Sequence, residues 1–297
     1  MARNTVVAIM YDFDKTLTTQ DMQEYTFIPK LGMSNSEFWL RAATLARKER
    51  MDNILAYMKL MLDESRAKNQ PIHRIDLVKL GRDLQFFPGV RTWFEDINRK
   101  GGEMGITLEH YIISSGLKEV IEGSLIGKEF KEIYASEYLY ENKVASWPKL
   151  AVNYTAKTQF LFRINKGVLD VYEDKELNAF TPESNRPIPF RNMIYIGDGL
   201  TDVPCMKLVK ANGGKSIAVH KKDDLQVCKK LMKDNRIDFF TEANYLKDGQ
   251  LFSLVTTILT KMKADDELAM MHGNMLRQAN EEETEKESTN LTKGHQD

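Results

Sequence analysis

The chain has 297 residues, 42% of them hydrophobic and 29% charged, a composition typical of a globular protein with room for one large or two modest domains. Its 42 Lys and Arg against 43 Asp and Glu give a net charge of −1, which excludes a global electrostatic attraction to nucleic acid or to an anionic membrane. The only cysteines, Cys205 and Cys228, exclude a disulfide framework and a clustered zinc site. The first apolar run is shorter than a signal-peptide core or a membrane span, so we expect an unprocessed cytoplasmic protein.

The first element is a short apolar run over residues 6–11, which predicts a fully buried strand of the kind found in parallel sheets. Asp12 and Asp14 follow it directly. Ligands of open α/β sheets bind at the carboxyl ends of strands, and two carboxylates there repel each other unless a cation is present. The alternative at this stage is that the two residues only cap the next helix.

Residues from about 20 to 85 carry helical periodicity and almost no strand pattern, which predicts an all-helical insertion closed by the turn sequence Phe87-Pro88-Gly89. Because it leaves the chain directly after the first strand, this insertion should stand over the carboxyl edge of the sheet. The insertion carries four basic residues, Arg41, Arg47, Lys48 and Arg50. They could reach an anionic substrate, but we favour the interpretation that they form a solvated helix face.

From Val90 onward the pattern alternates between helices and strands. We predict helices over 90–100, 117–125, 155–167, 223–233 and 250–263, the third of which begins at a Thr155 cap. Strands are predicted over 110–113, 132–135, 192–196, 216–220 and 238–241, with a hairpin over 137–147 that turns at 141–143 and a loop over 174–191.

This alternation predicts an α/β fold with a doubly wound, Rossmann-like parallel sheet and an inserted α-helical cap. We expect a discontinuous core domain over 1–18 and 88–263, and a helical cap domain over 19–87. The polar segment 264–297 should form a frayed helix followed by disorder.

Four polar sequences occur in order along this pattern, each at a strand end or a helix start: Asp12-Phe13-Asp14-Lys15-Thr16, then Ser114, then Lys157, then the run from Gly197 to Asp202. Together they resemble the motifs of the haloacid dehalogenase superfamily, and within it the phosphatases related to phosphoserine phosphatase that carry a helical cap. The resemblance covers residues from about 5 to 245.

The resemblance implies a catalytic role for four residues. Asp12 would attack phosphorus to give an aspartyl-phosphate, and Asp14 would act as general acid and then as general base. Ser114 and Lys157 would stabilise the phosphoryl oxygens. Ser114 could instead cap a helix, and Lys157 could be a solvated lysine with Lys143, Lys149 or Lys166 in its role; Lys157 is preferred because it opens the helix before the last motif.

Further residues are assigned to substrate and metal. Thr16, Asp21, Ser115 and Gly116 are predicted to bind substrate. Asp12, the backbone carbonyl of Asp14, and Asp198 form an oxygen-only set that suits Mg²⁺. Asp202 would bind the metal directly or orient a ligand, with capping of the next helix as the alternative. The motifs contain no histidine, which disfavours Zn²⁺.

The predicted function is therefore Mg²⁺-dependent hydrolysis of a small phosphomonoester, with no nucleic-acid or membrane partner. Asp21 stands where phosphoserine phosphatases carry a longer Glu for the substrate's amino group, and no cap arginine matches the one they use for the carboxylate. Asp14 argues against dehalogenation, because dehalogenases of the superfamily lack this second aspartate. The alternatives are a nucleotidase or phosphotransferase with the same site, or a non-catalytic phosphate-binding or scaffold protein.

Overall fold

The computed structural model describes residues 5–25 and 27–293, with side chains at all of these positions except 25, 184 and 280–293. Within these residues the strands form one seven-stranded sheet. The strands are β1 (Thr5–Tyr11), β2 (Ile106–Leu117), β3 (Glu132–Glu141), β4 (Val144–Leu150), β5 (Met193–Gly197), β6 (Lys215–His220) and β7 (Phe239–Glu242).

The sheet order is β4-β3-β2-β1-β5-β6-β7, and all neighbours are parallel except the hairpin pair β3 and β4. Strand order reverses at β1, which pairs with β2 on one side and β5 on the other. The carboxyl ends of these three strands therefore meet at one edge, which is the switch point where α/β sheets bind ligands. The predicted doubly wound α/β fold is confirmed, with one antiparallel edge strand added.

Helices cover both faces of the sheet. They are α1 (Met22–Tyr25), α2 (Asn35–Glu49), α3 (Asn53–Ala67), α4 (Arg74–Leu80), α5 (Val90–Glu103), α6 (Lys118–Gly123), α7 (Lys157–Lys166), α8 (Asp174–Asn178), α9 (Val203–Ala211), α10 (Gln226–Lys233) and α11 (Gln250–Lys293). No helix among these combines the length and the apolar content needed to cross a membrane.

The side chains of β1 alternate between two cores, as a strand buried on both faces requires. Val7, Ile9 and Tyr11 belong to the core shared with α5, the first part of α11 and the helices that follow β1. Ala8 and Met10 belong to the core shared with α7 and α9. All five side chains are fully buried, so β1 is fixed on both faces and holds the residues that follow it in place.

Helices α1 to α4 lie between β1 and α5, in the segment predicted as a helical insertion. An antiparallel bridge between Thr18 and Phe86 joins the two ends of this segment. The segment also contacts the β3–β4 hairpin, because the amide of Ala145 donates to the carbonyl of Ile72 at 2.8 Å. Its side chains share a core with the sheet, and the domain boundaries after residues 18 and 87 stay predictions.

Several element boundaries differ from the sequence prediction. Strand β2 continues through Ser114 to Leu117, and α5 continues through two glycines to Glu103. The segment 174–191, predicted as loop, contains α8. The hairpin turn is where it was predicted, with Asn142 and Lys143 in left-handed conformation as a two-residue hairpin turn requires.

The cap of α7 also differs from the sequence prediction. Thr155 does not cap α7, which has no side-chain cap bond; the Asn153 side chain accepts from the amide of Ala156 at 2.8 Å in the turn before the helix. Helix α11 extends to Lys293, and the frayed helix followed by disorder that was predicted from residue 264 stays a prediction. Residues 294–297 of that predicted tail lie outside the described residues.

Candidate active site

The carboxyl ends of β1 and β5 bring three aspartates together. Asp12 follows β1, and its amide continues the sheet ladder by donating to the carbonyl of Ile196 at 2.9 Å. Asp198 and Asp202 follow β5. One carboxylate oxygen from each aspartate lies within 4.8 Å of the others, although the residues come from segments far apart in the chain.

Lys157 provides the cation of this cluster. Its Nζ donates to Oδ1 of Asp12 at 2.9 Å and to Oδ1 of Asp202 at 2.7 Å. The lysine is the first residue of α7, and Asn153 stabilises the turn before it by accepting from the amide of Ala156 at 2.8 Å. At 1% exposure it is not a solvated surface lysine, so that alternative is wrong.

Charge and burial oppose each other in the cluster. Burial lowers the pKa of Lys157, but Asp12 and Asp202 outweigh it and hold that pKa above its usual value. Burial raises the pKa of Asp12 to about 6, with Asp202 adding to the rise and Lys157 opposing it. Burial, with Asp202 and Asp12 next, also raises the pKa of Asp198 well above its usual value. Three carboxylates against one ammonium leave an excess of negative charge.

The donor set fits a divalent cation with a preference for oxygen. Asp202 is fully buried, and its Oδ2 has no hydrogen-bond partner within the described part of the chain, while its Oδ1 accepts from both Lys157 and the Tyr195 hydroxyl at 2.8 Å. An unpaired buried carboxylate oxygen is costly, and a hard cation would remove that cost. Asp202 makes no side-chain cap bond to α9, so the capping alternative is wrong.

Gly197 and Gly116 allow two close approaches in the site. A Cβ on Gly197 would lie 2.5 Å from Oδ2 of Asp202, so any side chain there would displace this carboxylate. A Cβ on Gly116 would overlap the Met22 side chain and would lie 3.0 Å from Oδ2 of Asp14. Gly197 therefore leaves room for Asp202, and Gly116 leaves room for Met22 and Asp14.

The side chain of Asp14 is not part of the cluster formed by Asp12, Asp198 and Asp202. Its Oδ1 accepts from the amide of Met22, the first residue of α1, at 2.8 Å, so the carboxylate also meets a helix start. Burial, then Asp21, then Asp12 raise the pKa of Asp14 well above its usual value. A raised pKa favours the protonated form of a carboxyl group, which is the form that a general acid needs.

The end of β2 contributes the two serines. Ser114 is buried, and its Oγ accepts from the amide of Gly116 at 3.1 Å, which leaves its own hydroxyl hydrogen for another acceptor. Oγ of Ser115 is buried without a partner in the described chain. The carbonyl of Ser115 accepts from the hydroxyl of Tyr57 at 2.8 Å, which joins α3 to the sheet.

These groups face a cavity of about 380 Å³ between the sheet edge and the inserted helices. Its walls contain eight of the predicted site residues: Asp12, Asp14, Asp21, Ser114, Ser115, Gly116, Lys157 and Asp198. Thr16 and Asp202 do not line it. Thr16 is fully buried, its Oγ1 has no partner in the described chain, and its carbonyl accepts from Tyr245 at 2.8 Å.

Several residues of the site were not predicted from the sequence. Tyr195 and Asn153 position the cluster, and Lys15 pairs with Asp21 at 2.5 Å, so the charge of Asp21 is already matched. The cavity is also lined by Gln23, Trp39, Ala42, Ala43, Asn53, Ile54, Tyr57, Tyr154 and Thr201. Helical periodicity marked several of these as apolar but did not distinguish cavity wall from core.

Comparisons with known proteins place this arrangement in a family. The family model described as haloacid dehalogenase-like hydrolase matches residues 9–207. An uncharacterized protein of Borreliella burgdorferi is 31% identical over 285 residues, which cover 85% of this chain and 96% of that protein.

Solved structures show the same fold at low sequence identity. A haloacid dehalogenase family hydrolase from Salmonella enterica serovar Typhi has a TM-score of 0.53 at 17% identity, covering 80% of this chain and 67% of its own. A probable phosphoserine phosphatase from Vibrio cholerae has a TM-score of 0.54 at 13% identity, with 89% and 67% covered. A substrate-bound phosphoserine phosphatase has a TM-score of 0.52 at 13% identity, with 81% and 94% covered.

Proposed function

The chain belongs to the haloacid dehalogenase-like hydrolases, and we propose that it is a Mg²⁺-dependent phosphomonoester hydrolase that forms an aspartyl-phosphate on Asp12. One observation carries the proposal: Asp12 lines the same cavity as Asp14, and Lys157 holds one of its oxygens. A nucleophile, a proton donor and a cation are therefore available to one small phosphorylated metabolite.

In the first step Asp12 attacks phosphorus. Lys157 bonds to Oδ1, so Oδ2 is the oxygen that forms the new O–P bond. The bond from phosphorus to the leaving oxygen breaks, and Asp14 gives its proton to that oxygen. In the second step the Asp14 carboxylate takes a proton from water, the water oxygen bonds to phosphorus, and the bond to Asp12 breaks to release phosphate.

Negative charge that develops on the phosphoryl oxygens is stabilised by fixed hydrogen-bond donors. The hydroxyl of Ser114, the ammonium of Lys157 and the loop amides that follow Asp12 supply them, and Ser115 and Gly116 complete the substrate-binding set. Thr16, which was predicted to bind substrate, is fully buried and does not line the cavity, so it is left out of this set. Donors held by the protein do not need to reorganise as charge develops, which lowers the barrier.

The carboxylates of Asp12 and Asp198 and the backbone carbonyl of Asp14 would hold Mg²⁺, with Asp202 as a direct ligand or as the group that orients one. A bound Mg²⁺ would offset the excess negative charge of the cluster and that of the phosphate. The protein would work in the cytoplasm, which agrees with two buried free cysteines.

Phosphate release from a panel of phosphomonoesters with Mg²⁺ tests the proposal. We expect the native protein to release phosphate and Asp12→Asn to release none. The matched control is Asp248→Asn, which changes an exposed aspartate outside the cavity and should keep native activity. Acid quenching during turnover should trap phosphate on the native chain and not on Asp12→Asn. Equal release by the native protein and Asp12→Asn would overturn the proposal.

A further inference from the structure

The part of the cavity wall that comes from α2, α3 and the turn before α7 carries no charge among the described lining residues. Helix α2 contributes Trp39, Ala42 and Ala43, helix α3 contributes Asn53, Ile54 and Tyr57, and Tyr154 comes from the turn before α7. The bound phosphate would face the aspartates, so the rest of a substrate would meet this uncharged wall. A group that carries a full charge would be desolvated there without a partner.

The charged side chains that line the cavity are already engaged. Lys157 bonds to two aspartates, and Lys15 bonds to Asp21. The remaining carboxylates, Asp12, Asp14 and Asp198, belong to the proposed phosphoryl and metal chemistry. No cation is therefore free for a substrate carboxylate, and no carboxylate on the cap side is free for a substrate ammonium, among the described lining residues.

Arg41 does not supply a cation to this wall. It lies on α2 two positions from Trp39, but its guanidinium forms an ion pair with Glu64 and is not part of the cavity wall. An amino-acid phosphate, which carries both an ammonium and a carboxylate, would find neither of its partners. The site therefore disfavours phosphoserine as the substrate.

Two aromatic rings form a corner in this uncharged wall. Trp39 and Tyr57 meet edge to face, with ring centroids 5.9 Å apart and planes at 73°. Phe38 packs against Trp39 from the core at 5.2 Å, and the hydroxyl of Tyr57 is fixed by the carbonyl of Ser115. Both rings are thus held before any ligand arrives. A third ring could stack on one and present its edge to the other.

Neutral polar groups lie beside this corner. The amides of Gln23 and Asn53 line the same cavity, and each amide can both donate and accept. A cavity of about 380 Å³ is the size of a small-metabolite site. The lining thus combines flat apolar surface with uncharged hydrogen-bonding groups.

We infer that the substrate's leaving group is an uncharged alcohol with an aromatic ring, and that this ring binds against Trp39 and Tyr57. Nucleoside monophosphates and simple aryl-alkyl phosphates share this chemistry. The side-chain amides of Gln23 and Asn53 favour a nucleobase, because its ring carries polar groups at its edges. This inference rests on the proposed phosphatase function, because it assumes that the phosphate faces Asp12.

The test compares kcat/KM for four esters with Mg²⁺: phosphoserine, ethyl phosphate, benzyl phosphate and uridine 5′-monophosphate. We expect benzyl phosphate to exceed ethyl phosphate by about 10-fold, on the scale of one buried ring in an aromatic site, and phosphoserine to be the poorest. A higher kcat/KM for uridine 5′-monophosphate than for benzyl phosphate would identify a nucleoside as the leaving group. A lower value would identify a simple aryl-alkyl alcohol as the leaving group. Phosphoserine as good as benzyl phosphate would overturn the inference.

Substitutions of Trp39 test whether the aromatic ring of the substrate binds at this residue. Trp39→Leu should lower the ratio of kcat/KM for benzyl phosphate to that for ethyl phosphate by about 3- to 10-fold, and Trp39→Phe, which keeps a ring, should restore most of it. The matched control is Trp147→Leu, at a residue 68% exposed on β4 and outside the cavity, which should leave the ratio unchanged. A ratio unaffected by Trp39→Leu would overturn the placement of the ring.

Binding separates this inference from the proposed function. Calorimetry with Asp12→Asn and Mg²⁺ should give a lower Kd for benzyl phosphate than for phosphoserine. Tighter benzyl phosphate binding with no turnover by the native protein would overturn the proposed hydrolysis and support the ligand class. Turnover without any aromatic preference would leave the hydrolysis standing and overturn the ligand class.

Discussion

The Nζ of Lys157 lies 2.9 Å from Oδ1 of Asp12, although 145 positions separate the two residues in the chain. Both side chains are buried, and the same ammonium also bonds to Asp202. Because one cation serves two buried carboxylates, the electrostatic balance at the sheet edge depends on where α7 begins. The turn before that start is stabilised by the bond from the Ala156 amide to the Asn153 side chain, so a single polar residue before the helix contributes to the position of Lys157.

Replacing Lys157 by methionine should damage both stability and activity. The variant leaves Asp12 and Asp202 buried without a cation, and removing one partner of a buried ion pair costs about 3 to 5 kcal/mol of unfolding free energy. Phosphate release should fall by at least about 100-fold, since a fixed donor to the phosphoryl group is lost as well. Urea unfolding and steady-state kinetics measure the two effects.

Lys149→Met is the matched control for that substitution. Lys149 is half-exposed on β4 and pairs with Glu137 at 2.9 Å, and such surface pairs contribute less than about 1 kcal/mol. A Lys157→Met protein no less stable than Lys149→Met would contradict the role assigned to the buried lysine.

Asp198→Asn should remove most of the stabilisation by Mg²⁺ without lowering stability in the absence of the metal. In metal-free buffer the variant should be at least as stable as the native protein, because burial and the neighbouring Asp202 and Asp12 make a charge at Asp198 unfavourable and raise its pKa. Added Mg²⁺ at 100 times its Kd should raise the unfolding free energy of the native protein by about 2.7 kcal/mol, and that of the variant by far less. Thermal unfolding with Mg²⁺ or EDTA gives both values.

Asp248→Asn should respond to Mg²⁺ as the native protein does, because this exposed aspartate is not one of the three clustered carboxylates. If Asp198→Asn gained as much stability from Mg²⁺ as the native protein, a metal site at Asp198 would be excluded.

Asp14→Asn should separate the two steps of the proposed reaction. Ethyl phosphate needs a proton on its leaving oxygen, so its turnover should fall by about 100- to 10,000-fold. p-Nitrophenyl phosphate releases a stable anion without a proton, so the first step should survive and the phosphoenzyme should accumulate. Rapid quenching should then show one equivalent of p-nitrophenolate per chain followed by slow turnover. An equal loss of the first step for both esters would mean that Asp14 does not act as the acid.

Much of the site could be predicted from the sequence because parallel strands impose a simple rule. A strand buried on both faces is a short apolar run, and the polar residue that follows it must lie at the sheet edge. Asp12, Ser114 and Asp198 each follow such a run, and the structure brings all three to one cavity. The convergence of these residues therefore needed only strand order, not side-chain detail.

Residues that act through distant partners could not be predicted in this way. Tyr195 and Tyr57 stand at positions that periodicity marks as buried and apolar, and only the fold shows that their hydroxyls bond to Asp202 and to the Ser115 carbonyl. Thr155 is a good cap residue in sequence, yet α7 has no side-chain cap bond, and only the fold shows that Asn153 bonds to the Ala156 amide in the turn before it. Local propensity does not contain this information.

His110 should make stability depend on pH. It is buried in β2, where its Nδ1 accepts from the hydroxyl of Tyr11 at 3.0 Å and its Nε2 donates to Asn98 at 2.9 Å, which satisfies one neutral tautomer. Burial lowers the pKa of His110 from 6.5 to about 3. Between these values the unfolded chain binds a proton that the folded chain does not, so stability should be lost as pH falls below 6.5.

The loss from this group should reach about 2 kcal/mol of unfolding free energy between pH 6.5 and 5, at about 1.4 kcal/mol per pH unit. The raised pKa of Asp12 acts in the opposite direction, because its folded carboxyl takes up a proton before the unfolded one does. Only the difference between variants therefore isolates His110. Urea unfolding of native protein and His110→Gln at several pH values should show a smaller loss on acidification in the variant, whereas His272→Gln, at an exposed position on α11, should follow the native protein. Parallel curves for native protein and His110→Gln would show that this histidine takes up its proton equally in both states, and would refute the burial argument.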